Sequence, residues 1–226
     1  MRGTHSTPFR RRQGGIALLT ALVLMLVVLM TGIASTRGAL QGARAASHER
    51  DRMLALQMAG AALHDAEQDI EGGAEPGSAR ANAIAGGSVD AFVAGCGGAR
   101  PYNGLCTHEA DPVRLAELLL DEDGPAVMFG SFTGASMPGG EGALPLETPR
   151  YLIELMPASP EGQLYRITAS GAGSMPGTHA ALQAYYRKPP DGTQGRRIGW
   201  RELGNWSELV AASESLITGK EGHEKR

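Results

Sequence analysis

Arg10-Arg11-Arg12-Gln13-Gly14-Gly15 followed by Ile16-Ala17-Leu18-Leu19-Thr20 opens the stretch that decides the fold. The apolar run continues from Ile16 to Thr36, and an amphipathic tract follows to Ile70. Nothing between Gln13 and Thr36 carries a charge. That span matches the ~20 residues a helix needs to cross a bilayer. In lipid the backbone must satisfy its own hydrogen bonds, so the run is expected to be helical. Arg2, Arg10, Arg11 and Arg12 precede it, and no acid occurs before Glu49. The positive-inside bias then keeps the first fifteen residues in the cytoplasm and sends the remainder outward. The expectation is a membrane-anchored protein with an exported domain.

Three readings compete for such a segment. A cleaved secretory signal has an apolar core of about 7–15 residues and ends at a small-residue site. The run here is longer, and the helical pattern does not break after it. A plain signal anchor is the second reading. The third rests on Gly15, which sits between the arginines and the first apolar residue. In that respect the chain resembles a type IV pilin precursor, with a short basic leader ending in glycine and then Ile16-Ala17-Leu18-Leu19. The resemblance implies cleavage by a prepilin peptidase after Gly15 and an N-methylated Ile16. It also implies that Thr20 occupies the place where most major pilins carry glutamate. An acid at that depth costs about 2.5–3.5 kcal/mol on insertion scales. Threonine needs no intermolecular partner, because its hydroxyl can bond a carbonyl one turn back. A neutral residue there is similar to PilX-like minor pilins and to the K-type pseudopilins of type II secretion, and implies a place at or near a filament end.

From Arg37 to Ile70 the helix is expected to continue. No proline interrupts Ile16 to Ile70, and good helix formers dominate. Fifty-five residues at 1.5 Å each give roughly 80 Å. Leu56, Ala59, Leu63, Ala66 and Ile70 recur at a 3–4 spacing and define a packing face. Arg50, Gln57, His64 and Glu67 lie opposite. Gly32, Gly38, Gly42 and Gly60 are weak points, each costing on the order of 1 kcal/mol against alanine. The tract from Leu56 to Glu67 is similar to the second half of the PilX N-terminal region, although Gly60 departs from it. Gly72-Gly73 and Pro76 end the helix.

The next stretch, to about Pro149, is rich in glycine, alanine and serine, with little periodicity. Cys96 and Cys106 are the chain's two cysteines. In an exported chain such a pair most often forms a disulfide, and closing so short a loop contributes about 2–3 kcal/mol. No second cysteine pair or histidine cluster accompanies them, which argues against a metal. Asn103-Gly104-Leu105-Cys106 also resembles a PilX tract. Val113 to Leu120 reads as a short helix, followed by the acidic turn Asp121-Glu122-Asp123-Gly124. An EF-hand register there would place Leu119 first and Gly130 twelfth, and neither supplies a side-chain ligand. Ala126 to Phe132 reads as a strand.

The strongest β signal follows. Arg150–Leu155 alternates, with Tyr151, Ile153 and Leu155 on one side; Leu164–Ala169 and Ala181–Arg187 come next, between turn-rich connectors. Three such strands imply an antiparallel meander packed on the amphipathic helix. Tyr151-Leu152-Ile153-Glu154 and Arg166-Ile167-Thr168-Ala169 resemble the C-terminal half of PilX. Pro189-Pro190-Asp191-Gly192 breaks the sheet. Ile198, Trp200, Leu203 and Trp206 then fit a short amphipathic helix or a docked arm, with the tryptophans tying it to the core or anchoring a partner. Gly219 to Arg226 is charged and expected to fray.

The fold class is therefore expected to be α+β and type IV pilin-like. Its segments are a leader (1–15), a transmembrane half-helix (16–36), an amphipathic half-helix (37–71), a connecting region with a disulfide (72–149), a meander (150–188) and a C-terminal arm and tail (189–226). The net charge is −3, and loss of the leader's four arginines takes it to −7, which disfavours nucleic acid as a partner. Scattered histidines, no His-Glu-x-x-His and no Gly-x-Ser-x-Gly give no catalytic constellation, and no cofactor is expected. The resemblance implies a minor pilin that helps initiate assembly at the inner membrane and is incorporated in or caps a surface filament. It further implies roles in adhesion and twitching motility. Its partners would be other minor pilins, the major pilin, prepilin peptidase, the assembly platform and membrane lipid. A K-type pseudopilin and a signal-anchored periplasmic binding domain are the alternatives.

Overall fold

A computed structural model describes residues 15–137, 145–157, 159–213 and 215. The leader arginines and the tail from Gly219 to Arg226 lie outside the described residues. The chain divides into two units, 1–48 and 49–226. Helix α1, Ile16–Ile70, is continuous through the boundary. It ends where Gly72 and Gly73 adopt positive φ and the Gly73 N–H returns to the Gln68 carbonyl at 2.9 Å. A side chain on Gly73 would also run into the backbone of Phe132, so glycine is required there twice over.

The second unit is a mixed sheet clasping the end of α1. Strands β3 (Arg150–Leu155), β4 (Gln163–Ala172), β5 (His179–Lys188) and β6 (Arg196–Glu202) form an antiparallel meander in that order. Ile153, Ile167, Ala184 and Trp200 stand in one cross-strand row. Two short strands share the outer side of β3. Strand β1 (Leu105–Thr107) runs parallel to it at Ile153–Leu155, and β2 (Val127–Met128) antiparallel at Arg150–Tyr151.

Three expectations are corrected here. The meander has four strands, because Pro189–Gly195 turns the chain back rather than ending the sheet. Asp191 holds that turn by accepting from the Thr193 N–H and hydroxyl at 3.0 and 2.7 Å. Ile198 and Trp200 belong to β6 at a two-residue period, whereas Leu203 and Trp206 belong to the turn and the helical residues 206–213 that follow. One short helix or docked arm over the four residues therefore merges two elements. Trp206 is 3% exposed and Trp200 is 63% exposed, so only Trp206 ties this region down. The strand expected over Ala126–Phe132 stops at Met128, where the chain turns through Gly130 at φ +80.

The face of the sheet toward α1 carries Tyr151, Ile153, Tyr165, Ile167, Ala169, Leu182, Ala184 and Tyr186. These pack on Ala59, Ala62, Leu63, Ala66 and Ile70, while Leu56 is partly buried at the margin. Small residues on the helix permit a close approach. A side chain on Gly171 of β4 would lie 2.6 Å from both the Ala55 carbonyl oxygen and Met58 Cβ. The opposite face carries Leu152 and Ala181. They are covered by Cys96, Cys106, helix α3 (Pro112–Leu120) through Leu115, Ala116, Leu118 and Leu119, and by Trp206 and Leu209. Helix α3 starts on an Asp111 cap, whose carboxylate accepts from the Val113 N–H at 2.9 Å, with Pro112 behind it. Helix α2 (Ala79–Ala85), capped by Ser78, arises in the connecting region that showed little periodicity.

Candidate functional site

Along 16–48, every helical residue is exposed. Leu18, Leu22, Leu26, Leu29 and Ile33 are among the large apolar side chains left uncovered. The helix is long and apolar enough to cross a membrane by length and composition. Its polar groups close on themselves. The Thr20 hydroxyl donates to the Ala17 carbonyl at 3.0 Å, Thr31 to Val27 and Val28, and Thr36 to Gly32 at 2.9 Å. In hydrocarbon a hydroxyl satisfied this way needs no partner from another helix. Gly15 and Ile16 stand at the head of the helix, with the Leu19 N–H on the Gly15 carbonyl, and open space surrounds Gly15. Leu24, Met25, Val28, Leu29, Gly32 and Ile33 flank a shallow apolar depression at Gly32.

Along 49–70 the polar groups do the reverse and bond outward. Asp51, Asp65 and Asp69 are buried on the face that packs on the domain. Asp51 receives the Ser174 N–H at 2.5 Å and its hydroxyl at 2.7 Å. Its carboxyl is held down at about 2, by the Thr178 hydroxyl first, against the cost of burial, and then by Ser174. Asp65 accepts from the Gly130 N–H at 2.8 Å and from the Thr133 hydroxyl. Burial still pushes its carboxyl above the usual range.

Asp69 is the centre of the largest cluster. Arg80 of α2 meets it through Nε at 2.9 Å and Nη2 at 2.7 Å, and the Tyr151 hydroxyl donates to it at 3.0 Å. Arg80 and Asp69 are each 2% exposed. The remaining guanidinium nitrogen donates to the carbonyls of Pro101 (2.6 Å) and Asn103 (2.9 Å). The Phe132 ring lies 3.8 Å from the guanidinium carbon. A buried ion pair is tolerated only when its other hydrogen-bonding sites are filled, and here they are. Pro101 and Asn103 lie inside the loop closed by the Cys96–Cys106 disulfide, which the structure forms. The disulfide loop, α2 and β3 are thus all tied to one aspartate of α1.

Further pairs run along the flank of α1 nearest β6. Arg52 meets Glu202 at 2.5 Å, and Arg197 makes a two-pronged contact with Glu67 at 2.6 and 2.9 Å. Glu67, expected on the outer side, is therefore half-buried against β6, while Arg50, Gln57 and His64 are exposed. Glu71 accepts from Tyr186 and from the Gly195 N–H, each at 3.0 Å. The packing face expected from apolar residues alone leaves out the buried aspartates. Asp65 and Asp69 nonetheless follow the same 3–4 spacing as Ala62 and Ala66. The acidic turn after α3 closes on itself, with the Asp123 N–H on the Asp121 carboxylate at 3.1 Å. Among the described residues no group of histidine, cysteine, aspartate or glutamate is placed to hold a metal ion.

Comparison with family models, with curated proteins and with solved structures finds no match to this chain. What stands is a long N-terminal apolar helix followed by a mixed sheet with a disulfide, an α+β arrangement able to anchor in a membrane.

Proposed function

We propose that the chain is a PilX-like minor pilin of the type IV pilus. The observation that carries the reading is one uninterrupted helix with two surfaces. Its first part is apolar and uncovered, and its last part is built into a sheet domain. The first part would hold the precursor in the inner membrane and later pack against the helices of neighbouring pilins. Gly15 and Ile16 would form the processing site for prepilin peptidase. Thr20, satisfied by its own helix, suits a subunit at a filament end that offers no buried carboxylate to a neighbour. The short helices and strands among the described residues between 72 and 149 favour the pilus over a K-type pseudopilin, whose inserted helical domain is large. No catalytic chemistry is assigned to it.

Mass spectrometry of the protein recovered from cells with working prepilin peptidase tests the reading. An N-methylated Ile16 at the mature terminus is the expected result; an intact Met1, or cleavage beyond the apolar run, overturns it. Thr20→Glu tests the filament-end position. Impaired initiation of pili is expected, and unchanged pilus number and function would count against that placement.

A further inference from the structure

The face of the sheet turned away from α1 holds a cleft of about 360 Å³. Its floor comes from adjacent strands in register. Arg166, Gln183 and Arg201 line it, with Thr168 paired to Gln183 and Glu154 paired to Arg166 in the register alongside. Ala110, Pro112 and Leu115 wall one side, and Leu203, Asn205 and Leu209 the other.

Polar side chains on a covered sheet face need partners. Glu154, fully buried, receives Arg166 through two nitrogens at 2.6 Å each and the Glu109 N–H at 2.9 Å. His108 stands 3.5 Å away. That charge is closed. Glu202 is spent on Arg52. Gln183, 3% exposed, donates to the Thr168 hydroxyl at 3.2 Å. Its carbonyl oxygen accepts from Arg201 Nη2 at 2.8 Å and Nε at 3.3 Å.

Arg201 therefore differs from Arg52, Arg80, Arg114, Arg166, Arg187 and Arg197. Each of those has a carboxylate partner, whereas Arg201, like Arg100, Arg150 and Arg196, has none among the described residues; of these four, Arg201 is the one that lines the cleft. A buried neutral amide fixes the guanidinium at the edge of the cleft, and Arg201 itself is exposed, so a ligand arriving from solvent can reach its charge. A guanidinium held in place beside apolar walls is suited to a carboxylate, which it meets in a planar, two-pronged contact. The volume lies at the lower end of the range for small-molecule sites. Glu109 also lines the cleft, its carboxylate accepting from the Asp111 N–H at 2.9 Å. A second negative charge on a ligand would meet it unfavourably.

From this arrangement we infer that the cleft between α3 and residues 203–209 binds a small monocarboxylate, with Arg201 on the carboxylate and Leu115, Leu203 and Leu209 against its apolar part. The site stands independently of the pilin reading. Two sources share this chemistry: the carboxyl end of a peptide and an acidic sugar.

The experiment uses the full chain in detergent micelles and ligand-detected saturation-transfer NMR. The probes are N-acetyl-leucine, its uncharged methyl ester, and glucuronate. N-acetyl-leucine is expected to bind saturably and its ester at least about tenfold more weakly, the scale of a lost charge-assisted hydrogen bond. Arg201→Gln should weaken binding by a similar factor, while Arg196→Gln on the same strand should not. Asn205→Asp suits a helix start as well as asparagine does, yet adds a negative charge at the cleft. It should weaken binding even if Arg201→Gln perturbs β6. Saturable binding of glucuronate alone supports the carboxylate site and assigns it to sugars. Binding of N-acetyl-leucine alone supports it and assigns it to peptide ends. No saturable binding of either, equal binding of acid and ester, or indifference to both Arg201→Gln and Asn205→Asp overturns the inference.

Discussion

The two parts of α1 handle polarity by opposite rules. Along 16–48 the only side-chain hydrogen bonds among the described residues come from Thr20, Thr31 and Thr36, and all return to the helix's own carbonyls. Along 49–70 three buried aspartates reach out to loops and to another helix. One element is therefore indifferent to its neighbours at one end and committed to them at the other. The sequence marks this change by the first acid, Glu49, which is also where the second unit begins.

Loss of the central carboxylate should have the largest effect. Asp69→Ala leaves Arg80 buried and unpaired and should cost about 3–5 kcal/mol in denaturant unfolding of the detergent-solubilised chain. Replacing both partners, as Asp69→Leu with Arg80→Met, should recover much of that. A single-variant cost below about 1 kcal/mol would show that the pair contributes little. Replacing Cys96 and Cys106 together by serine should cost about 2–3 kcal/mol by the same measurement. Because Pro101 and Asn103 sit in that loop, its effect should be less than additive with Asp69→Ala; strict additivity would disconnect the loop from the cluster. Gly171→Ala forces β4 away from α1 and should cost about 1–3 kcal/mol. An unchanged midpoint would mean that the sheet and helix can part without loss.

Acid titration separates the aspartates from one another. The folded-state value of Asp51, about 2, lies below its ordinary 3.8, so its contribution is present above pH 3.8 and is lost as pH falls toward 2. Asp65 is shifted the other way, so its contribution is present at low pH and is lost as pH rises through its elevated folded-state value. Asp51→Asn should therefore flatten the loss of stability between pH 4 and 2; the same slope as the parent would assign that loss to other groups. At the indifferent end, Thr20→Ala should change stability by less than about 0.5 kcal/mol, since only a bond within the helix disappears. A larger effect would place a partner on Thr20.

Much of this architecture was legible because it follows from periodicity. Leu63, Ala66 and Ile70 are buried on α1, and Tyr151, Ile153 and Ile167 alternate into the same core. The disulfide followed from two cysteines in a chain expected to be exported. What stayed hidden depends on contacts distant in sequence. Arg80 lies in the stretch of little periodicity, and only the approach of Asp69, Pro101 and Asn103 gives it a buried place. Strand β6 was obscured because its two-residue alternation runs directly into the three-residue spacing of Leu203 and Trp206. The cleft at Arg201 needed the register of three strands, which no local pattern supplies.

The short strands β1 and β2 have a consequence for how this sheet meets others. They occupy the outer side of β3 along nearly its whole length, at Arg150–Tyr151 and Ile153–Leu155. Among the described residues, β6 is the strand of the meander that has no further strand on its outer side, so a strand added to the meander itself would pair there.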